Sequence, residues 1–294
     1  MGRGDMDRRR FAQLAAAGAM LFGLSDSSAM AEDDTLTRIK TQGFARVGFS
    51  NVSPWGFVNE KGDLDGVEPT LVRAFLKAIG VPEIDGVLTA YVSLIPALQA
   101  GRFDMIGAGM QIRPARCEQI AFGDPEWVSR QAFAVPAGNR KGLTSLQDVI
   151  AKGARLGVVS GGAEREYASM NGVKSEQIII FPDLAAVASG LRADRADVAM
   201  FAAISVRGFI KTQGPTAFDF VALTQQPLGK DGRPATGYGA IGFRKTDVTL
   251  LADWNAWLKK AKGTGELLKL LAPFGLEASD IAGDVSVATL CAAK

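Results

Sequence analysis

The chain has 294 residues, 47% of them hydrophobic and 22% charged, which is ample for a sizeable core and too apolar for a disordered chain. Lys and Arg total 33 against 31 Asp and Glu, dispersed along the sequence, so no basic block points to nucleic acid or a membrane surface. Histidine is absent, which removes Ser-His-Asp and Cys-His nucleophilic catalysis and nearly all transition-metal chemistry, so neither a metal nor a cofactor is expected.

The chain opens with a basic cluster, Asp7-Arg8-Arg9-Arg10-Phe11, then an apolar run to Leu24 and a small-x-small site, Ala29-Met30-Ala31. This predicts a secretory leader over residues 1–31. Paired arginines before an aromatic suggest the twin-arginine type, which exports folded chains; a general-secretory leader with an additional Arg is the alternative. The apolar run falls short of the roughly eighteen residues that span a bilayer. The mature chain, Glu32 to Lys294, is expected to be soluble in the periplasm. There Cys117 and Cys291 can form a disulfide, whose loop of roughly 170 residues would contribute at most about 5 kcal/mol. Two separate buried thiols are the alternative.

Along the mature chain, Ala45–Ser50 reads as a strand, Pro69–Ile79 as a helix closed by Gly80, Val87–Tyr91 as a second strand, Leu94–Ala100 as a helix and Phe103–Gly107 as a third strand. The same grammar repeats. Leu146–Ala151 is helical, Arg155–Val159 a strand, Ala163–Met170 a helix, Ile178–Phe181 a strand, Leu184–Ala193 a helix and Val198–Phe201 a strand. A strand over Tyr238–Phe243, a helix around Leu250–Lys262 and a last helix, Gly265–Leu271, complete the pattern. Alternating strands and helices predict two α/β units, each with a mostly parallel sheet flanked by helices. Such sheets bind ligands beyond the carboxyl ends of their strands, and clefts between lobes are favoured sites. Ser160-Gly161-Gly162-Ala163 follows a strand and opens a helix, so its amides could meet an anion, although most such turns are only tight connections.

The run Leu94-Ile95-Pro96-Ala97-Leu98-Gln99-Ala100-Gly101-Arg102-Phe103-Asp104 resembles the family 3 solute-binding proteins of ABC importers. The likeness continues through Gly109-Met110-Gln111-Ile112-Arg113-Pro114-Ala115-Arg116, Phe122-Gly123-Asp124-Pro125 and Tyr238-Gly239-Ala240-Ile241-Gly242-Phe243-Arg244-Lys245. Gln42–Arg46, Val87–Tyr91, Arg116-Cys117 and the closing Leu290–Lys294 look most like the ectoine- and hydroxyectoine-binding branch. The resemblance implies a two-lobe, type II periplasmic-binding fold with two hinge strands. Lobe 1 would comprise residues 32–135 and 240–294, and lobe 2 residues 136–239. A Cys117–Cys291 bridge would then lie within lobe 1. The implied partners are a small zwitterionic or carboxylate ligand and the importer's permease and ATPase, with the protein a monomer.

Residue by residue, Arg116 matches the family arginine that clamps the ligand carboxylate, a pairing its planar donor fork suits. Gly109 and Gln111 match positions that help hold that carboxylate, and Ser160, Gly161, Gly162 and Ala163 match the lobe 2 carboxylate loop, with Ala163 replacing the usual Thr. Trp55 and Tyr91 match aromatics that box the ligand's cation. Phe201 is placed in the site beside Ala202. The departures concern the cation. Val52 stands where the branch has an acid, Gln111 replaces a cage aromatic, and Ala202 stands near the Asp that pairs with an ammonium. A buried ammonium without a partner is costly, so a standard α-amino acid is disfavoured unless another acid moves in. A carboxylate with a diffuse cation, or with an uncharged ring, fits better.

Three alternatives remain open. One is a polar amino-acid binder of the same family. Another is an enzyme resembling the periplasmic cyclohexadienyl dehydratases, whose acid would be Glu164, Asp183 or Glu68. The third is a sensor that reports ligand occupancy to a membrane protein.

Overall fold

The computed structural model describes residues 34–229, 232 and 234–292. The leader expected over residues 1–31 and the last two residues of the Leu290–Lys294 segment lie outside the described residues.

Two sheets organise the chain. The first sets Glu83–Leu88, Phe44–Phe49, Met105–Ile106, Gly242–Phe243 and Ala121–Phe122 side by side. Its first three strands are parallel, with Val47 opposite both Gly86 and Met105, while Gly242–Phe243 runs against both its neighbours. The second orders Phe218–Ala222, Trp127–Pro136, Val198–Ala202, Leu156–Val159 and Ile178–Phe181. Its last three are parallel, and Trp127–Pro136 runs antiparallel to Val198–Ala202 and Phe218–Ala222. The parallel pairings are those the strand–helix alternation predicts. The other half of each sheet comes from strands outside that alternation, so both sheets are mixed rather than mostly parallel.

Each sheet is covered on both faces, which explains its near-continuous apolar strands. Along Val198–Phe201, Val198 and Met200 pack in one cluster with Phe133 and Leu156, while Ala199 and Phe201 pack in another with Ala132 and Phe209. The period of two is that of a strand with two buried faces. In the first sheet Met105 joins the cluster of Val47, Phe75 and Trp254, and Ile106 the opposite one of Leu98, Phe103 and Phe122.

A matching ion pair anchors each sheet. Asp104 accepts the Arg46 amide at 2.9 Å and its Nη2 at 3.0 Å, and Asp197 accepts the Arg155 amide at 2.7 Å and its Nη2 at 2.9 Å. Each Asp precedes its strand, so the pair ties neighbouring parallel strands at their amino ends and leaves the carboxyl ends for other uses.

Several boundaries differ from expectation. The strand predicted over Val87–Tyr91 is Glu83–Leu88, and Tyr91 opens a 3-10 turn, Tyr91–Ser93. Its partner ends at Phe49, opposite Leu88, so no ladder remains for Tyr91. The strand expected over Tyr238–Phe243 is two, Thr236–Gly239 paired with Trp127–Arg130 and Gly242–Phe243 in the first sheet. The break falls where the chain passes between sheets. The strand Trp127–Pro136 and the helix Ala203–Gln213 were not foreseen, and Gly265–Leu271 is not the last helix, because Val287–Ala292 follows. That final helix carries Cys291, which is bonded to Cys117 with the two Cα atoms 5.8 Å apart.

Candidate functional site

A cavity lies between the carboxyl ends of the two parallel strand sets, with an empty volume of about 530 Å³ including solvent at its mouth. On the first sheet's side, Val52 and Trp55 follow Phe44–Phe49, Tyr91 follows Glu83–Leu88, and Ala108, Gly109, Gln111 and Arg116 follow Met105–Ile106. Across from them Gly162, Ala163 and Glu164 follow Leu156–Val159, while Phe201, Ala202 and Ser205 end Val198–Ala202 and begin the next helix. Trp127 lies where the chain first crosses.

The aromatic wall is a stacked pair. The rings of Trp55 and Trp127 have centroids 4.1 Å apart and planes inclined by 27°, and Trp55 is 1% exposed. Trp55 Nε1 donates to Ser205 Oγ at 2.6 Å, and Trp127 Nε1 donates to Glu68 Oε1 at 3.3 Å. Gly109 sits in the left-handed region (φ 68°) with the Trp55 indole against its Cα, a place no Cβ could occupy. Tyr91 lies under the guanidinium of Arg116, 5.7 Å from its ring centroid.

Arg116 lines the cavity with two of its donors engaged: Nη1 donates to the Gln111 carbonyl and Nη2 to the Gly161 carbonyl, both at 2.8 Å. A guanidinium has five N–H groups, so the two carbonyls do not exhaust its donors, and a further hydrogen bond links it to Tyr91. Among the other groups expected to hold a carboxylate, the backbone amides of Gly109, Ser160 and Gly162 are committed elsewhere, whereas Gln111 is engaged through its acceptor oxygen. The Gly109 amide donates to Glu68 Oε2 at 2.9 Å, and the Gln111 side-chain oxygen accepts from the Tyr167 hydroxyl at 3.3 Å. The Ser160 amide bonds to Phe181 and that of Gly162 to Val159. Ser160 and Gly161 fall outside the wall, so the turn is not an open row of amides. Trp55, Tyr91, Gly109, Gln111, Arg116, Gly162, Ala163 and Phe201 are brought together around one cavity.

Burial shapes the acids. Glu68 is fully buried behind Trp127 and Gly109, and burial pushes its carboxyl up to about 8 against the pull of hydrogen bonds from Gly109, Trp127 and Ala108. Glu126, also fully buried, is raised by burial and then by the charge of Glu68, while its Oε1 accepts the Ile241 amide at 2.8 Å. Glu164 is 8% exposed and raised by burial, countered by its own amide, the charges of Arg116 and Arg113, and the amide of Ala163. Asp183 is spent as the N-cap of Leu184–Arg192, accepting the Ala186 amide at 2.8 Å.

Sequence reasoning missed Ala108, Trp127, Val159, Leu184 and Ser205 as wall residues, and it weighed Glu164 only as an acid for catalysis. A strand over Trp127–Pro136 would have pointed to Trp127; nothing local marks Ser205. Val52 and Ala202 both line the cavity and add apolar surface to it. Among the described residues, no group of three or more His, Cys, Asp or Glu could hold a metal ion.

Residues 45–277 match the model of the bacterial extracellular solute-binding proteins, family 3. A probable amino-acid ABC transporter periplasmic-binding protein of Sinorhizobium fredii is 30% identical over 286 residues, 96% of this chain and 93% of that protein. The crystal structure of EhuB in complex with hydroxyectoine superimposes with a TM-score of 0.78 at 30% identity, covering 90% of this chain and all of that one. An ancestral amino acid-binding protein, described as a precursor of cyclohexadienyl dehydratase, superimposes with a TM-score of 0.68 at 26% identity, covering 82% and 99% of the two chains.

Proposed function

Since the chain belongs to family 3 of the bacterial extracellular solute-binding proteins, we propose that it is the periplasmic binding component of an ABC importer, capturing a small carboxylate-bearing amino-acid derivative or compatible solute of the ectoine type. One observation carries the ligand class. Arg116 brings a fixed positive charge into a cavity otherwise walled largely by Trp55, Trp127, Tyr91, Phe201 and aliphatic side chains. In that low-dielectric setting a carboxylate gains a charge-assisted pairing that water does not match. The likeness to a hydroxyectoine-bound relative supports a cyclic zwitterion.

In this reading the lobe boundary expected at residue 135 moves to the start of the strand Trp127–Pro136, because that strand pairs within the second sheet: residues before Trp127 and from Ala240 onward form one lobe and 127–239 the other, the two closing on hinges at Trp127–Arg130 and Thr236–Gly239. A ligand touching Arg116, Trp55 and Tyr91 on one side and the Gly162–Ala163 turn and Phe201 on the other stabilises the closed form through both lobes at once. The permease then recognises that closed, monomeric form. The protein binds without turnover, and residues 1–31 are its twin-arginine leader.

A thermal-shift panel on the mature chain from Glu32 tests this reading, with ectoine, hydroxyectoine, betaines, proline, the standard amino acids and cyclohexadienyl acids. A true ligand at a hundred times its Kd adds about 2.7 kcal/mol, a shift of roughly several degrees. Expected is a shift with ectoine or another carboxylate zwitterion and no product from the cyclohexadienyl acids. No shift with any member of the panel, or conversion of a cyclohexadienyl acid in a separate turnover assay, would sink the proposal.

A further inference from the structure

The reading above leaves the ligand's positive charge without an obvious partner, because Val52 and Ala202 offer none. The geometry points to Glu164 as the residue that selects the cation, so that the cavity takes zwitterions whose carboxylate meets Arg116 and whose positive group meets Glu164. This inference rests on the proposed function and specifies its ligand.

Glu164 and Arg116 line the same cavity from opposite sides, one after the strand Leu156–Val159 and the other after Met105–Ile106. A desolvated anion and a desolvated cation on facing walls form the complement of a small zwitterion. The carboxylate is kept there by its surroundings. A Cβ on Gly162 would lie 2.5 Å from Glu164 Oε2, so the side chain folds back over a turn that glycine alone leaves open. The backbone amides of Ala163 and Glu164 and the charges of Arg116 and Arg113 favour its charged form and offset part of the cost of burial, and a cation beside it would offset more. The other acids are committed elsewhere: Asp183 caps its helix, and Glu68 has both oxygens bonded behind the wall, to Gly109 and Trp127.

Selection follows from both signs of the interaction. A cation placed beside Glu164 gains a counter-charge where water cannot compete, and Tyr91 and the Trp55–Trp127 stack offer it aromatic faces. A carboxylate lacking a cation brings a second anion toward Glu164 and leaves it uncompensated, which rejects the ligand as firmly as the first effect attracts the zwitterion.

The test is calorimetric titration of the mature chain with matched probes: L-proline against cyclopentanecarboxylate, and ectoine against cyclohexanecarboxylate. Each zwitterion that binds should be held at least tenfold more tightly than its cation-free counterpart. Glu164→Gln should abolish that preference, and Glu164→Asp, which keeps the charge, should restore part of it, with ligand-free melting confirming that both variants fold. A preference that survives Glu164→Gln, or a wild-type protein that favours the cation-free acids, overturns the inference. Arg116→Ala separates this outcome from the underlying carboxylate reading. If it leaves affinity unchanged while Glu164→Gln removes the preference, the carboxylate reading fails and the role of Glu164 stands. If Arg116→Ala weakens binding while the preference survives Glu164→Gln, Arg116 holds the carboxylate and Glu164 does not select the cation.

Discussion

Arg116 Nη2 donates to the backbone carbonyl of Gly161 at 2.8 Å, joining residues that follow strands in two different sheets. The same guanidinium holds the Gln111 carbonyl through Nη1. Arg116 therefore enters the cavity already oriented by two backbone acceptors, with no rotamer search left to make when a carboxylate arrives.

Replacing Arg116 by Ala should weaken every carboxylate ligand by about 2 kcal/mol or more, roughly thirtyfold in Kd, because the ligand's buried charge is left unpaired. Titration calorimetry of the variant measures this directly. An unchanged Kd would place Arg116 outside the binding site.

A second link between the two sides lies at the rim. Arg113 is ion-paired with Glu166 and stacked 5.3 Å from the Tyr167 ring centroid, and the Tyr167 hydroxyl reaches Gln111. With both partners of the ion pair partly exposed, that pair contributes at most about 1 kcal/mol. Arg113→Ala should speed ligand release by up to about fivefold and leave the association rate nearly unchanged, as read by stopped-flow fluorescence. High salt should reproduce the effect in the wild-type protein.

The buried carboxyls make stability fall as pH rises. Glu68 goes from an ordinary value of 4.5 to about 8 in the folded protein, so the native state binds its proton more tightly than the unfolded chain does. The stabilisation is complete below the unfolded value and is lost as pH rises through the folded one. Glu126, raised in the same direction, adds to the slope. Melting temperature at constant ionic strength should decline from about pH 5 to about pH 8.5, and Glu68→Gln should flatten that decline. A melting temperature that stays flat across this window would mean both carboxyls are already ionised in the fold.

The Cys117–Cys291 bridge joins residues 174 apart and fastens the final helix, Val287–Ala292, to the helix Pro114–Cys117. Reduction should cost up to about 5 kcal/mol by the chain-entropy argument. Thermal melts with and without a thiol reductant, beside the Cys291→Ser variant, check it; coincident melts would show that the bridge adds nothing to stability.

Much of the architecture was legible from residue patterns. Strand–helix alternation marked the parallel half of each sheet, because a right-handed crossover imposes that spacing on the sequence. The family resemblance brought Trp55, Tyr91, Gln111, Arg116, Gly162, Ala163 and Phe201 to one place, and the structure gathers them there. The antiparallel halves were not legible. Trp127–Pro136 is buried along most of its length and shows no polar alternation, and Glu83–Leu88 is an exposed edge whose polar residues resemble a loop.

The sequence by itself determined which side chains could carry charge into the site, since local chemistry sets what Arg116 and Glu164 are able to do. Only the tertiary structure decided which of them is free to act. It assigned the Gly109 amide to Glu68, spent Asp183 on a helix cap, stacked Trp127 on Trp55 and turned Glu164 into the cavity. Each of those outcomes depends on a partner distant in sequence, and burial makes such a pairing compulsory: a polar group removed from water takes whichever partner the fold brings within reach.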